Sequence, residues 1–297
     1  MKTTTEGADV RAVNANELAL RLTRPGAARL SLRRFPDFMV VGPQRTGTSW
    51  LDDNLRRHPG VFLPRRKEIY FFNLLEQKQH PKFRSDELSW YLRHFRDTPM
   101  SYVKKQFAHR RAYGRWYKPQ VRGECTASYA VMGEEVIREI VKLNAGLRAI
   151  LMVRDPVARA WSHAKKDLVV RRKRASMADV PDAEFMEFFQ DPYQLACGRY
   201  SVSIARWQRA LAPGHLFIGR FEDIVQRPEE LLRQLYAFLG LDWDERYASV
   251  ARKKVNPTNE EAIPDRYKGR LKDLFGDEIE YLKQIQGSGD AREVGAV

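Results

Sequence analysis

Short apolar runs alternate along the chain with segments whose apolar positions recur every three or four residues. The runs are typical of strands buried on both faces of a parallel sheet, and the segments are typical of amphipathic helices. The predicted strands are residues 37–42, 61–63, 147–153 and 215–220. The predicted helices are residues 48–58, 133–143, 156–163, 228–239 and 266–286. This alternation predicts an α/β fold in which a central parallel sheet lies between two helical layers, a three-layer αβα sandwich.

Two parts of the chain lie outside this alternation. Residues 76–117 are aromatic and basic, and their aromatic positions are spaced as in short helices, which predicts a layer that covers the sheet. Residues 1–34 mix charged residues with alanine and contain no apolar stretch long enough for a secretory signal, so we expect an N-terminal tail that is partly disordered. Residues 35–297 are close to the size limit of one hydrophobic core, and a single domain is the simplest expectation.

The chain carries 52 Lys and Arg against 38 Asp and Glu, a formal net charge of +14 with a pI of about 9.8. This excess raises the local concentration of anions, which fits nucleic acid, anionic lipid or a polyanionic small molecule. The two cysteines cannot form a disulfide framework and have no metal-ligand spacing, so we expect a reducing compartment and no structural metal. No run approaches the roughly 18 apolar residues of a membrane span. A soluble, cytoplasmic protein without stable membrane association is therefore expected.

The first predicted strand runs into a glycine-containing loop, GPQRTGTS, at residues 42–49. Its two glycines permit a tight turn, and the following helix offers free N–H groups and its positive dipole end to an anion. The arrangement is P-loop-like, but Thr48 stands where a nucleotide triphosphatase has the lysine that reaches the β and γ phosphates. A cation occurs three residues earlier, at Arg45, where it would sit beside the bridging oxygen of a shorter phosphorylated group. A P-loop kinase or NTPase is therefore the weaker interpretation.

Charged and hydroxyl side chains follow two other predicted strands. Lys67 and Glu68 come shortly after the second strand, and Arg154 follows the third, with Ser162 two helical turns later. Arginine and serine side chains in this relation can bind one phosphate together. Because the carboxyl ends of parallel strands meet at one edge of the sheet, the pattern favours a nucleoside with an anionic group at each end. Such a ligand is 3′-phosphoadenosine 5′-phosphosulfate (PAPS), which fits the pattern better than ATP.

These segments resemble those of the PAPS-dependent sulfotransferases, in particular the branch that contains the heparan sulfate N- and O-sulfotransferases and their bacterial relatives. The matching segments are VGPQRTGTSW at residues 41–50, KEIYFF at 67–72 and LMVRDPVARAWS at 151–162. Two positions depart from the heparan sulfate branch, because Arg45 replaces a lysine and Cys125 stands where a second lysine is frequent. The second difference weakens the expectation of a glycosaminoglycan acceptor.

The resemblance implies transfer of a sulfuryl group from PAPS to a hydroxyl or amine of a small-molecule, lipid or carbohydrate acceptor by in-line displacement. The product 3′,5′-adenosine bisphosphate (PAP) leaves, and no metal is required. Glu68 is implied as the general base, and Arg45 as the group that stabilises charge on the bridging oxygen. The residues implied to bind the cofactor are Arg45, Thr46, Gly47, Thr48, Ser49, Trp50, Arg154, Ser162, Tyr200, Lys253 and Lys254.

The basicity of Glu68 depends on its surroundings. Neighbouring cations such as Lys67 lower the pKa of a carboxylate, so we expect a working base only if burial against Phe71 and Phe72 offsets them. Lys67 itself is interpreted as a neighbour rather than a catalyst.

Other assignments stay open at the level of sequence. Arg159 either contacts the cofactor or is a solvated cation on its helix, and His94 or His109 is a reserve candidate for the base. Nucleic-acid binding is supported by net charge alone, without a binding motif, so no nucleic acid partner is expected. The sequence fixes neither the acceptor nor the oligomeric state.

Overall fold

The computed structural model describes residues 32–253 and 262–287. In this part of the chain five strands form one sheet in the order β2-β3-β1-β4-β5, and every neighbouring pair is parallel. The strands are β1 Phe38–Gly42, β2 Val61–Phe62, β3 Val121–Cys125, β4 Arg148–Val153 and β5 Leu216–Arg220. The central position of β1 brings its carboxyl end between those of β3 and β4.

Helices connect the strands and cover both faces of the sheet. They are α1 Thr48–Leu55, α2 Leu88–Leu92, α3 Pro99–Tyr113, α4 Glu134–Leu143, α5 Pro156–Ala164, α6 Asp182–Gln190, α7 Pro192–Ala196, α8 Tyr200–Ala210, α9 Phe221–Gln226, α10 Pro228–Phe238 and α11 Asp265–Gly287. A π-helical turn, Lys165–Val170, continues α5.

Strand β1 shows why the fold has three layers. All five of its residues are buried, and successive side chains point to opposite faces. Met39 and Val41 belong to a core cluster that α4 and α8 cover, whereas Phe38 and Val40 belong to a second cluster beneath α1 and α10. The predicted α/β three-layer fold with a central parallel sheet is therefore confirmed.

All but one of the sequence-based boundaries lie within one residue of those in the structure. The exception is the predicted helix 48–58, which ends at Leu55. The predicted strand 61–63 is Val61–Phe62, and strand β3 was not predicted. Of the predicted tail, residues 1–31 lie outside the described residues. The single domain over 35–297 stays a prediction.

The aromatic segment 76–117 forms a cover layer only in part. Tyr91 and Phe95 are buried in the core cluster beside β1, as expected. Phe107 and Trp116, by contrast, are largely exposed, so the prediction that they pack over the sheet is wrong. In the part of the chain that the structure describes, none of the helices combines the length with the apolar character that a membrane span requires.

Candidate active site

The loop between β1 and α1 depends on two glycines with positive φ. At Gly42, φ is 111° and an added Cβ would lie 2.0 Å from the carbonyl oxygen of Ala127. At Gly47, φ is 93° and an added Cβ would lie 2.2 Å from Cδ1 of Ile224. Larger residues at either position would strain the backbone and clash, so the loop keeps its shape only with glycine.

The amino end of α1 offers backbone donors at the centre of the site. Gly47 is the N-cap and supplies no side-chain hydrogen bond, so the first N–H groups of the helix keep their donor capacity. The Thr46 hydroxyl donates to the carbonyl oxygen of Pro43 at 2.7 Å, and its side chain is fully buried. Thr46 therefore holds the loop with its side chain and can reach a ligand only through its backbone.

A cation comes to the amino end of α1 from another segment. Lys67 Nζ donates to Ser49 Oγ at 2.8 Å and to Thr48 Oγ1 at 3.3 Å. The charge that the loop lacks at Thr48 is thus supplied from the segment after β2. Lys67 thus contacts the start of α1 directly, which the sequence did not indicate, and its interpretation as a neighbour of the base stays a prediction.

The loop and the carboxyl end of β4 meet through two arginines. Arg45 Nε donates to Ser162 Oγ at 2.9 Å, and Arg154 Nη1 donates to the carbonyl oxygen of Arg45 at 3.0 Å. The Arg154 guanidinium also lies 4.1 Å from the ring centroid of Phe221. Burial lowers the pKa of Arg45, and the neighbouring charge of Arg154 lowers it further. The two predicted anion sites therefore form one continuous cationic surface.

Two other predicted cofactor residues have side chains engaged in packing. Trp50 is buried, and its Nε1 donates to the carbonyl oxygen of Ala251 at 2.7 Å. Tyr200 is also buried, and its hydroxyl accepts from the Arg154 amide at 3.3 Å. The polar group of Trp50 is therefore already used, whereas the hydroxyl of Tyr200 accepts one hydrogen bond and retains its own proton as a donor. Lys253 is exposed just beyond Ala251, and Lys254 lies outside the described residues.

Glu68 lies beside the amino end of the loop helix. Its Oε2 accepts from the Ala127 amide at 3.1 Å, and its Oε1 is 3.9 Å from Lys67 Nζ. Burial raises the pKa of Glu68, and this effect exceeds the opposing influence of Lys67, the Ala127 amide and Lys82. Burial thus outweighs the neighbouring cations at Glu68. Phe71 and Phe72 pack in the core beside Tyr91, and burial of Glu68 against these two rings stays a prediction.

Tyr70 and Lys82 are neighbours of Glu68 that sequence reasoning missed. Lys82 Nζ donates to Tyr70 Oη at 3.0 Å, and the Tyr70 hydroxyl interacts with the Glu68 carboxylate, which favours the ionised form. Glu68 and Tyr70 both adopt positive φ, 61° and 56°, which is uncommon for residues other than glycine. Such strain concentrates at functional sites and is held by surrounding contacts.

A buried network holds the segment that carries Glu68. Glu124, at the end of β3, is 1% exposed and accepts hydrogen bonds from the hydroxyls of Tyr91 and Thr126, the latter at 2.9 Å. Thr126 Oγ1 in turn accepts from the Ile69 amide at 3.1 Å. Burial raises the pKa of Glu124 to about 7, and the nearby Glu68 contributes to the rise. Nothing in the local sequence pattern indicated a buried acid here.

Arg159 is fully buried rather than solvated, which removes one of its two interpretations. Its Nη2 donates to the carbonyl oxygen of Gln194 at 2.9 Å, while Nε and Nη1 have no hydrogen-bond partner among the described residues.

The structure also shows the surroundings of His94 and His109, the two reserve candidates for the base. His94 contacts the carbonyl oxygens of Trp90 and Tyr91. Burial lowers the pKa of His109 to about 4.

His109 packs on the Tyr117 ring at the β2 side of the sheet, in α3. Both cysteines are buried and free. In the described parts of the chain, no group of three or more His, Cys, Asp or Glu is arranged to hold a metal ion.

The fold and these motifs match known proteins. The family model described as "Sulfotransferase family" matches residues 36–245. Among solved structures, a sulfotransferase from Alicyclobacillus acidocaldarius has a TM-score of 0.55 and 24% sequence identity, covering 84% of this chain and 95% of that one. The structure therefore has the fold of a sulfotransferase.

Curated relatives agree with this assignment. Mouse heparan sulfate glucosamine 3-O-sulfotransferase 3B1 is 27% identical over 217 residues, which are 70% of this chain and 47% of that protein. Human heparan sulfate glucosamine 3-O-sulfotransferase 6 is 27% identical over 231 residues, 73% of this chain and 58% of that one. The chain thus spans about half the length of these relatives. It belongs to the Sulfotransferase family, and the resemblance inferred from its motifs is confirmed.

Proposed function

We propose that the protein transfers a sulfuryl group from PAPS to a hydroxyl or amine of an acceptor. The observation that carries this proposal is the convergence of Arg45, Lys67 and Arg154 on the amino end of α1. Like charges crowded in a partly buried site repel one another, and a bound polyanion relieves this repulsion. Membership of the Sulfotransferase family identifies the chemistry that such a polyanion would serve.

The donor set fits a nucleotide that carries two anionic groups. The free N–H groups at the start of α1, together with Arg45 and Lys67, would hold the 5′-phosphosulfate. Arg154 and Ser162, which Arg45 joins to the loop, would hold the 3′-phosphate. When bound, PAPS supplies the sulfuryl group in an activated form.

The reaction then needs a base and a group that stabilises charge. Glu68 accepts the proton of the acceptor at its carboxylate, which burial makes more basic than an ordinary glutamate. Arg45 and the loop amides stabilise negative charge on the oxygen that leaves, and the guanidinium does so without giving up a proton. Tyr70 and the Ala127 amide orient the carboxylate.

Calorimetry with PAP and with ATP–magnesium tests the nucleotide. We expect PAP to bind in the absence of metal and more tightly than ATP. Tighter, magnesium-dependent binding of ATP would instead support the P-loop kinase or NTPase interpretation and contradict the proposal.

Glu68→Gln tests the base. The amide keeps an oxygen for the Ala127 N–H, so PAP affinity should be kept while transfer falls roughly 100- to 10,000-fold. Transfer is measured by mass spectrometry of sulfated products after adding PAPS to a metabolite extract, which also identifies the acceptor. Glu187→Gln, on the exposed face of α6, is the matched control. Undiminished product formation by Glu68→Gln would place the base elsewhere.

A further inference from the structure

Helix α3 presents an apolar line to solvent on the side opposite its buried residues. Met100, Val103 and Phe107 follow one another at spacings of three and four residues, so they share one face. They are 66%, 47% and 67% exposed, whereas His109 and Tyr113 anchor the other face in the protein. Exposed apolar residues that form a line, rather than occurring singly, mark an interaction surface.

Positive charge surrounds this line. Between residues 99 and 118 the chain has six Lys and Arg and no Asp or Glu. Lys104, three residues before Phe107, and Arg111, four residues after it, lie on the same face of the helix. Lys118 is exposed after the helix. None of these three forms an ion pair with the described residues, whereas Lys105, nearer the buried side, pairs with Asp97 at 2.8 Å.

We propose that α3 is a peripheral docking surface for an anionic lipid membrane. The apolar side chains on this exposed face would enter the boundary between headgroups and acyl chains, and the cations interspersed among them would contact the anionic headgroups. The charges complement anionic lipid, and the apolar line needs a partner with an apolar phase. Nucleic acid satisfies the first requirement alone. A reversible contact of this kind differs from the stable membrane association that the sequence argues against.

Trp116 adds to the same surface. It is 56% exposed just after the helix, and the Arg110 guanidinium lies 5.4 Å from its ring centroid. Tryptophan is enriched at the membrane interface because its ring is amphipathic. The proposal concerns the side of the molecule next to β2 and does not depend on the proposed reaction.

Sedimentation with sucrose-loaded vesicles tests the docking surface. The full chain should bind vesicles that contain about one-third phosphatidylserine and not pure phosphatidylcholine, and binding should weaken as salt screens the charges. Phe107→Ser should lower the partition coefficient about tenfold or more, because it removes the aromatic side chain that would leave water for the acyl chains on binding. Val225→Ser is the control, since Val225 is equally exposed, at 68%, on α9.

Two further substitutions test whether the positive charge of α3 contributes to vesicle binding. Arg111→Gln should lower the partition coefficient about fivefold, whereas Lys272→Gln, an exposed cation of α11, should not change it. Every variant should keep the thermal midpoint and PAP affinity of the parent, because the altered side chains are exposed.

Four outcomes would overturn the proposal. Equal binding to both vesicle types would show that the surface does not recognise anionic lipid, and no effect of Phe107→Ser would show that α3 does not enter a lipid interface. Duplex DNA binding that depends on Arg111 but not on Phe107, without vesicle binding, would identify a polyanion site. A dimer in analytical ultracentrifugation that Phe107→Ser dissociates, again without vesicle binding, would assign the surface to a second copy.

Discussion

Replacing Glu124 by glutamine should change how the free energy of unfolding depends on pH. The carboxyl group is almost completely buried and is surrounded by Tyr91, Thr126 and Tyr129, with Glu68 as the nearby charge. Burial disfavours the ionised form and raises its pKa from 4.5 to about 7. The native state therefore binds this proton more tightly than the unfolded chain does.

The sign and size of the effect follow from this difference. The stabilising contribution of the protonated acid is fully present below the unfolded pKa and is lost as pH rises through the native one. Over that range the loss amounts to about 3 kcal/mol, since each unit of pKa corresponds to about 1.4 kcal/mol. Glutamine is neutral at every pH. Between about pH 5 and about pH 8, the free energy of unfolding of Glu124→Gln should therefore rise by about this much relative to that of the parent.

Urea unfolding of both proteins at the two pH values measures the difference. Glu134→Gln is the control, because Arg138 and Arg209 lower the pKa of this partly exposed acid, so it is ionised at both pH values. We expect the difference in free energy of unfolding between Glu134→Gln and the parent to be the same at both pH values. If the difference between Glu124→Gln and the parent is also the same at both pH values, Glu124 is ionised over this range. If the difference instead falls as pH rises, the site stabilises the carboxylate.

Three further changes probe the site. Tyr70→Phe removes a hydroxyl that favours ionised Glu68, so the acid limb of the kcat/KM profile should move to higher pH; an unmoved limb would contradict this role. Arg154→Lys keeps the charge but loses the planar fork, and calorimetry should show PAP binding about tenfold weaker, whereas parental affinity would exclude a bidentate contact. Gly47→Ala should lower the free energy of unfolding by about 1 to 3 kcal/mol, since φ is 93° and the new Cβ meets Ile224; parental stability in urea would show that the loop relaxes freely.

Much of the fold could be predicted from the sequence because its strongest signals are local. Strand β4 is a continuous apolar run after its first residue, Arg148. Asp155 followed by Pro156 marks the start of α5, where the Asp155 side chain accepts from the Ala158 amide. The two glycines of the loop after β1 can be read directly from the sequence. These features placed Arg45 and Arg154 at strand ends, and the parallel sheet brings those ends together.

Strand β3 could not be predicted because its sequence contradicts its position. Val121–Cys125 contains Arg122, Gly123 and Glu124, yet it lies next to the central strand. Gly123 is required because the Phe38 ring occupies the space of a side chain, 2.2 Å from an added Cβ. Glu124 is tolerated because the hydroxyl of Tyr91, from a distant segment, and the hydroxyl of Thr126, two residues further along the chain, both donate to it. Such compensation depends on tertiary contacts, which periodicity does not reveal.

Lys67 and Glu68 are adjacent in the chain, yet their side chains reach two different parts of the site. One bonds the hydroxyls at the start of α1, and the other bonds the amide that follows β3. The hydrogen bonds of Lys67 and one peptide unit therefore connect the helix that would carry the donor to the carboxylate that would receive the proton. In the proposed reaction this short connection couples the position of the base to that of α1, so loss of the Lys67 hydrogen bonds would loosen the alignment of donor and base.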